Sequence, residues 1–153
     1  MPIVSIGCDN FLGGKEITEH VIKQGRKHFA FLGSASTHAP QFFDRYKGYC
    51  QALKNHNLVI NENAQFNVFY TEEAGYDAAV KLIESGEKFD AIFAASDLIA
   101  IASFTFPPLT TVKQDTQLAG ELLVSTLLES INGKETSTTL ISPELVIRKS
   151  CGN

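Results

Sequence analysis

A few short clusters in this chain carry side chains able to do chemistry. They are Asp9 and Asn10, Arg45 within RYKGY, Tyr70, and Ser96 with Asp97 at the end of FDAIFAASD. An arginine fork grips two oxygens at once, so it suits paired hydroxyls or a carboxylate. A carboxylate such as Asp97 accepts hydrogen bonds from hydroxyls. A tyrosine ring offers a flat apolar face to a sugar ring or a base. The polar stretch from Ser34 to Gln41 adds further groups of the same kind. Brought together in one cleft, they describe a site for a small polar molecule. Each also has a plainer use. Ser96 or Asp97 can cap a helix, Arg45 can pair with Asp44 on the surface, Tyr70 can pack, and Asp9 with Asn10 can form a turn.

Nothing in the chain arranges a nucleophile or an acid–base pair. It has no G-x-S-x-G elbow, no GxxxxGK[ST] loop and no GxGxxG after a strand. Its four histidines form no HxH or HxxxH pair, and Cys8, Cys50 and Cys151 lack metal-ligand spacing. The expectation is a binding protein rather than an enzyme, with no metal and no cofactor.

These groups fall at the ends of predicted strands. Residues 3–6 and 28–32 are short apolar strands, followed by 66–70 and 89–95. A parallel strand covered on both faces reads as such a nearly continuous apolar run, and ligands in open α/β sheets bind at the carboxyl ends of strands. Helical patterns alternate with them. Gly13-Gly14 opens one with Ile17, Val21 and Ile22 on its apolar face and Gly25 as its stop. Residues 44–55 bury Tyr46, Cys50 and Leu53 in a second. Thr71 caps a third that ends at Gly86. The last starts near Asp115 or Thr116 and carries a stripe of Leu118, Leu122, Leu123, Leu127, Leu128 and Ile131 before Gly133. Residues 138–147 are strand-like, with a break at Pro143. The alternation predicts an α/β fold with parallel sheets and right-handed crossovers.

The totals agree with a globular chain: 153 residues, 44% hydrophobic and 20% charged. No apolar run approaches the roughly 18 residues of a membrane span, and MPIVSIGCDN does not read as a signal peptide. A net charge of −4 with dispersed lysines and arginines argues against phosphate-backbone binding by these residues. The odd cysteine count fits a reducing compartment, so the expected location is cytoplasmic.

The order of DNFLGGKEITEHVIKQGRKHFAFLG, DRYKGYCQAL, TEEAGYDAAVKLI, FDAIFAASDLIAI, FPPLTTVKQD and PELVIRKS resembles the LacI/GalR family of bacterial transcription repressors. The likeness is to their effector-binding core and covers nearly the whole chain. It implies two periplasmic-binding-protein-like lobes crossed by the chain, with a small effector, a carbohydrate or related metabolite, in the cleft. It also implies a homodimer whose helix-turn-helix headpieces bind operator DNA. On this resemblance the division is 1–57 in the N-terminal lobe and 58–153 in the C-terminal lobe with crossover segments. The effector contacts it implies are Arg45, Tyr70, Ser96, Asp97, Asp9, Asn10 and Gln41. The alternative is a periplasmic-type sugar-binding protein of a transporter.

Two departures stand beside these matches. No headpiece and no early first-lobe strands precede Pro2. Ile101 and Ala102 lead straight into SFTFPPLTTV, where family members place the rest of a helix, a further strand and an aspartate-bearing turn. Incomplete lobes would leave open sheet edges, so the expectation is that residues are omitted between Ile101 and Ala102.

Overall fold

A computed structural model describes residues 4–103 and 108–151 of the chain. The first strand, β1, is Ile6–Cys8, later than predicted, and Ile3 lies outside the described residues. Asp9 ends the strand and accepts a hydrogen bond from the Leu12 N–H at 2.9 Å, which caps α1 (Asn10–Lys23). Gly25, at φ +88°, terminates that helix. The central strand β2 (Phe29–Gly33) is buried along its whole length. The next helix, α2 (Pro40–Asn55), starts at Pro40 rather than Asp44. Proline suits a first helical turn, where its missing N–H is not needed.

The third strand, β3, is Gln65–Asn67, shorter than the predicted 66–70. Val68 N–H still reaches the Gly33 carbonyl, but Phe69 is then exposed as the chain turns away. Thr71 caps α3 (Glu72–Glu84) through the Ala74 N–H, and β4 is Ala91–Ala94. Ser96 Oγ accepts from the Ile99 N–H and thereby starts α4 (Asp97–Ser103). That helix runs unbroken through Ile101 and Ala102. Residues 104–107, part of the crossover block, lie outside the described residues. Then come β5 (Thr111–Lys113), α5 (Thr116–Ile131), β6 (Thr139–Ile141) and β7 (Glu144–Val146).

The main sheet has the order β3-β2-β4, all parallel, with Phe31 of β2 opposite both Gln65 and Phe93. A second parallel pair joins β1 to β6. The third pair, β5 with β7, is antiparallel and departs from the all-parallel expectation. Pro143, which has no N–H for a ladder, separates β6 from β7, and the chain runs back beside β5. Strand β2 lies in the stretch 1–57, whereas β3 and β4 lie in 58–153, and one sheet joins them.

Alternation along β2 builds two cores. Phe29 and Phe31 face Tyr49 and Leu53 of α2, with Val21 and Ile22 of α1 packed alongside. Ala30 and Leu32 face Ala78 and Leu82 of α3 and Ile99 of α4. Tyr49 is fully buried between Phe31 and Phe93, with both ring centroids 5.3 Å away.

The expected helix opener, Gly13-Gly14, lies inside α1 instead, because Asp9 provides the start. A Cβ on Gly14 would strike the backbone of Arg45, and one on Gly48 would strike the Phe11 carbonyl and the Lys15 amide. These two glycines let α1 and α2 touch backbone to backbone. That close crossing sets the height at which Arg45 leaves α2.

Candidate functional site

Arg45 stands in the second turn of α2, and its side chain crosses to two other elements. Its Nε donates to Asn10 Oδ1 at 2.8 Å, and its Nη1 donates to the Ala95 carbonyl at 2.6 Å. The guanidinium also sits over the Phe42 ring, 4.9 Å from its centroid. The surface pairing with Asp44 does not form, because Asp44 holds Lys47 at 2.6 Å. Burial lowers the affinity of Arg45 for its proton, while Asp97, Cys8 and Tyr70 nearby oppose that effect. An arginine stays charged through the neutral range. Its Nη2 makes no hydrogen bond to any described residue, so a charged donor pair is left for a ligand.

Asn10 is the hub. Its Nδ2 donates to the Cys8 carbonyl at 3.1 Å, and its Oδ1 accepts from both Arg45 and Gln114, the latter at 3.3 Å. One side chain therefore links the end of β1, helix α2 and the segment after β5. Asp97 stands across from Arg45 and accepts from the Thr111 hydroxyl at 2.9 Å. Because Ser96 performs the capping, the Asp97 carboxylate is free for this contact.

The sequence-predicted residues divide into two groups. Asp9, Asn10, Arg45, Ser96 and Asp97 line one open groove of about 1270 Å³. Within it, Asp9 and Ser96 spend side-chain oxygens on helix caps, so they shape the site more than they offer donors. Tyr70 and Gln41 are not among the groove-lining residues. Tyr70 stacks on Phe42 with centroids 3.9 Å apart, and so stands behind the ring that underlies Arg45. Gln41 is exposed in the first turn of α2.

The sequence reading missed Phe42, Thr111 and Gln114. Phe42 stands three places before Arg45 on a helix, a spacing that puts two side chains on one face. Thr111 and Gln114 follow a long loop and carried no signal in the chain order. No group of three or more metal-ligating side chains is found among the described residues, and no described helix is long and apolar enough to cross a membrane.

The comparisons agree with this architecture. The family described as periplasmic binding protein-like domain matches residues 99–151. The transcriptional repressor PurR of Histophilus somni is 28% identical over 171 residues, which cover 93% of this chain and 51% of that protein. The transcriptional regulator CelR of Thermobifida fusca is 24% identical, over 95% of this chain and 51% of its own length. The chain thus spans about half the length of the curated relatives it matches. Among solved structures, a complex of the transcriptional regulator CelR with cellobiose superposes with a TM-score of 0.86 at 25% identity, covering 96% of this chain and 54% of that one. A LacI-family regulatory protein from Chloroflexus aggregans reaches 0.89 at 22% identity, over 97% of this chain and 63% of that chain, a likeness of fold alone. In fold, the chain is similar to these solved transcription regulators, and residues 99–151 match the periplasmic binding protein-like domain.

Proposed function

We propose that the chain is the ligand-sensing core of a LacI/GalR-type repressor whose effector is a sugar or a related hydroxyl-rich metabolite. The observation that carries the reading is the Arg45 junction, where one charged fork ties Asn10 to the Ala95 carbonyl and keeps a nitrogen free. Paired hydroxyls suit that nitrogen and the Asp97 carboxylate opposite. Phe42 stacks on Tyr70 and lies under the Arg45 guanidinium, so the two rings back that fork from outside the groove lining. Gln41 serves as a rim contact, and Asp9 and Ser96 shape the floor. Its similarity to a regulator solved with cellobiose supports a carbohydrate.

The effector works by biasing an equilibrium. A ligand that bridges Arg45 to Asp97 favours the arrangement in which α1, α2 and β4 stay joined. Operator DNA, bound by a helix-turn-helix headpiece elsewhere in a homodimeric cytoplasmic protein, favours another arrangement. These residues carry a net charge of −4 and do not themselves grip DNA. Titration calorimetry against a panel of mono- and disaccharides that includes cellobiose tests the reading. At least one sugar is expected to bind, and its affinity is expected to fall when Asp97→Asn removes the carboxylate. A flat response across the panel contradicts the carbohydrate assignment.

A further inference from the structure

Two opposite charges line the groove without meeting. Burial lowers the affinity of Arg45 for its proton, and Asp97 is the first of the nearby groups that oppose this effect. Even so, the ion pairs among the described residues do not include Arg45 with Asp97. Arg45 could receive a carboxylate, because its Nη2 makes no hydrogen bond to any described residue. Carboxylate and guanidinium form a strong charged pair wherever they can meet. Some part of the fold keeps these two apart.

Strand β5 stands between them. Successive side chains leave a strand on opposite faces. Thr111 turns to α4, where its hydroxyl donates to Asp97 Oδ1 at 2.9 Å. Val112 turns to α1, since a Cβ on Gly13 would lie 3.0 Å from the Val112 Cγ1. Just past the strand, Gln114 Nε2 donates to Asn10 Oδ1 at 3.3 Å, the same oxygen that receives Arg45 Nε. One short segment therefore touches both charged arms of the site, Asp97 directly and Arg45 through Asn10.

The segment is itself held from behind. Beyond its ladder with β7, Lys113 pairs with Glu144 at 3.5 Å. The Thr110 hydroxyl donates to the Arg148 carbonyl at 3.0 Å and accepts from the Arg148 N–H at 2.9 Å. The Thr110 N–H donates to Ser150 Oγ at 2.7 Å. A support tied down in this way can fix the geometry of the groups it touches.

We propose that β5 is a spacer that keeps the carboxylate and the guanidinium of the site apart, with Thr111 as the positioning residue that turns Asp97 away from Arg45. The inference rests on the reading of the groove as an effector site. It adds what that site selects: a ligand with an acceptor at one end and a hydroxyl donor at the other, spaced to reach both charges. Such a ligand meets two open charges and has no ion pair to break, and groups already held in their bound arrangement bind more tightly.

Crystal structures of the ligand-free parent, Thr111→Val and Thr111→Ser test the spacer. Valine keeps the branched shape of threonine without its hydroxyl, and serine keeps the hydroxyl. In Thr111→Val the Asp97 carboxylate is expected to swing to within about 4 Å of an Arg45 nitrogen, with β5 still paired to β7. In Thr111→Ser it is expected to stay beside residue 111. Calorimetric titration with cellobiose follows. Affinity is expected to fall about three- to tenfold in Thr111→Val and to return in Thr111→Ser. In an Asp97→Asn background, where no carboxylate can close on Arg45, the valine is expected to cost less than about twofold. A general fault of folding would instead cost the same in both backgrounds. An Asp97 carboxylate that stays in place in Thr111→Val, or an equal valine penalty with and without that carboxylate, overturns the proposal. The crystal structures contain no ligand, so a parent that fails to bind cellobiose counts against the carbohydrate reading, while the position of Asp97 still decides the spacer.

Discussion

Helices α3 and α5 are both well capped and both carry apolar side chains at helical spacing, yet they end in opposite surroundings. Leu82 of α3 is wholly buried against β2, together with Ala78 and Ile99. In α5 no residue is buried, and Leu123, Val124, Leu127, Leu128 and Ile131 are each more than half exposed. Periodicity therefore specifies that a helix forms and which face it offers. It does not specify that something covers the face. The same contrast separates the two parallel sheets. Strand β2 has neighbours on both edges and helices on both faces, whereas among the described residues β1 pairs only with β6, and Leu140 of β6 stays open to solvent.

The sharpest way to break the comparison is to make the same truncation in both helices. Leu82→Ala opens a cavity in a closed core and is expected to cost about 2–5 kcal/mol in chemical denaturation. Gly48→Ala comes next, at about 1–3 kcal/mol, because its methyl group meets backbone atoms of α1 that a side-chain rotation cannot clear. Leu127→Ala on α5 is expected to change stability by no more than about 0.5 kcal/mol. If Leu127→Ala matched Leu82→Ala, α5 would have to be covered in solution. Tyr49→Phe is expected to be neutral or slightly stabilising, since the buried Tyr49 hydroxyl has no hydrogen-bond partner among the described residues.

Alkaline titration probes the aromatic side of the closed core. Burial pushes the Tyr46 phenol up to about 12, and it raises Tyr49 and the Cys50 thiol as well. In the unfolded chain these groups ionise from about pH 9 to 10. Folding therefore favours their neutral forms, and that stability is complete below about pH 9 and is lost as the pH rises toward 12. Thermal melts should fall steadily across this window in the parent protein. The fall should be shallower in Tyr49→Phe, which has lost one of the titrating groups.

Much of this architecture was legible in the sequence. The run from His28 to Leu32 read as a short apolar strand, and the structure has it one residue later, at Phe29–Gly33. Thr71, Asp115, Gly25, Gly86 and Gly133 punctuated helices where the structure has them. Arg45, Asn10 and Asp97 could be named in advance because strand ends and the first turns after them are where such folds keep polar groups. What was not legible depended on contacts between distant segments. The Gly13-Gly14 pair read locally as a helix start, and its packing role appears only once Gly48 crosses it. Tyr49 fell outside the predicted apolar face of α2, although it is the most enclosed ring in the fold. Gln114 reaches Asn10 across more than a hundred residues, and no local pattern announces such a contact. Pro143 correctly marked a break, but not that the chain beyond it runs antiparallel to β5.

The claim at the centre of this account is that Arg45 organises a small-molecule site. The direct measurement is calorimetric titration of the best-binding sugar into the parent, Arg45→Lys and Arg45→Ala, with folding checked by circular dichroism. Loss of a charged hydrogen-bonding fork is worth about 1.5–3 kcal/mol, so affinity should fall at least about tenfold in Arg45→Ala. Arg45→Lys should fall between the two, keeping the charge without the paired donors. Folded Arg45→Ala protein that binds the sugar as tightly as the parent would contradict the account.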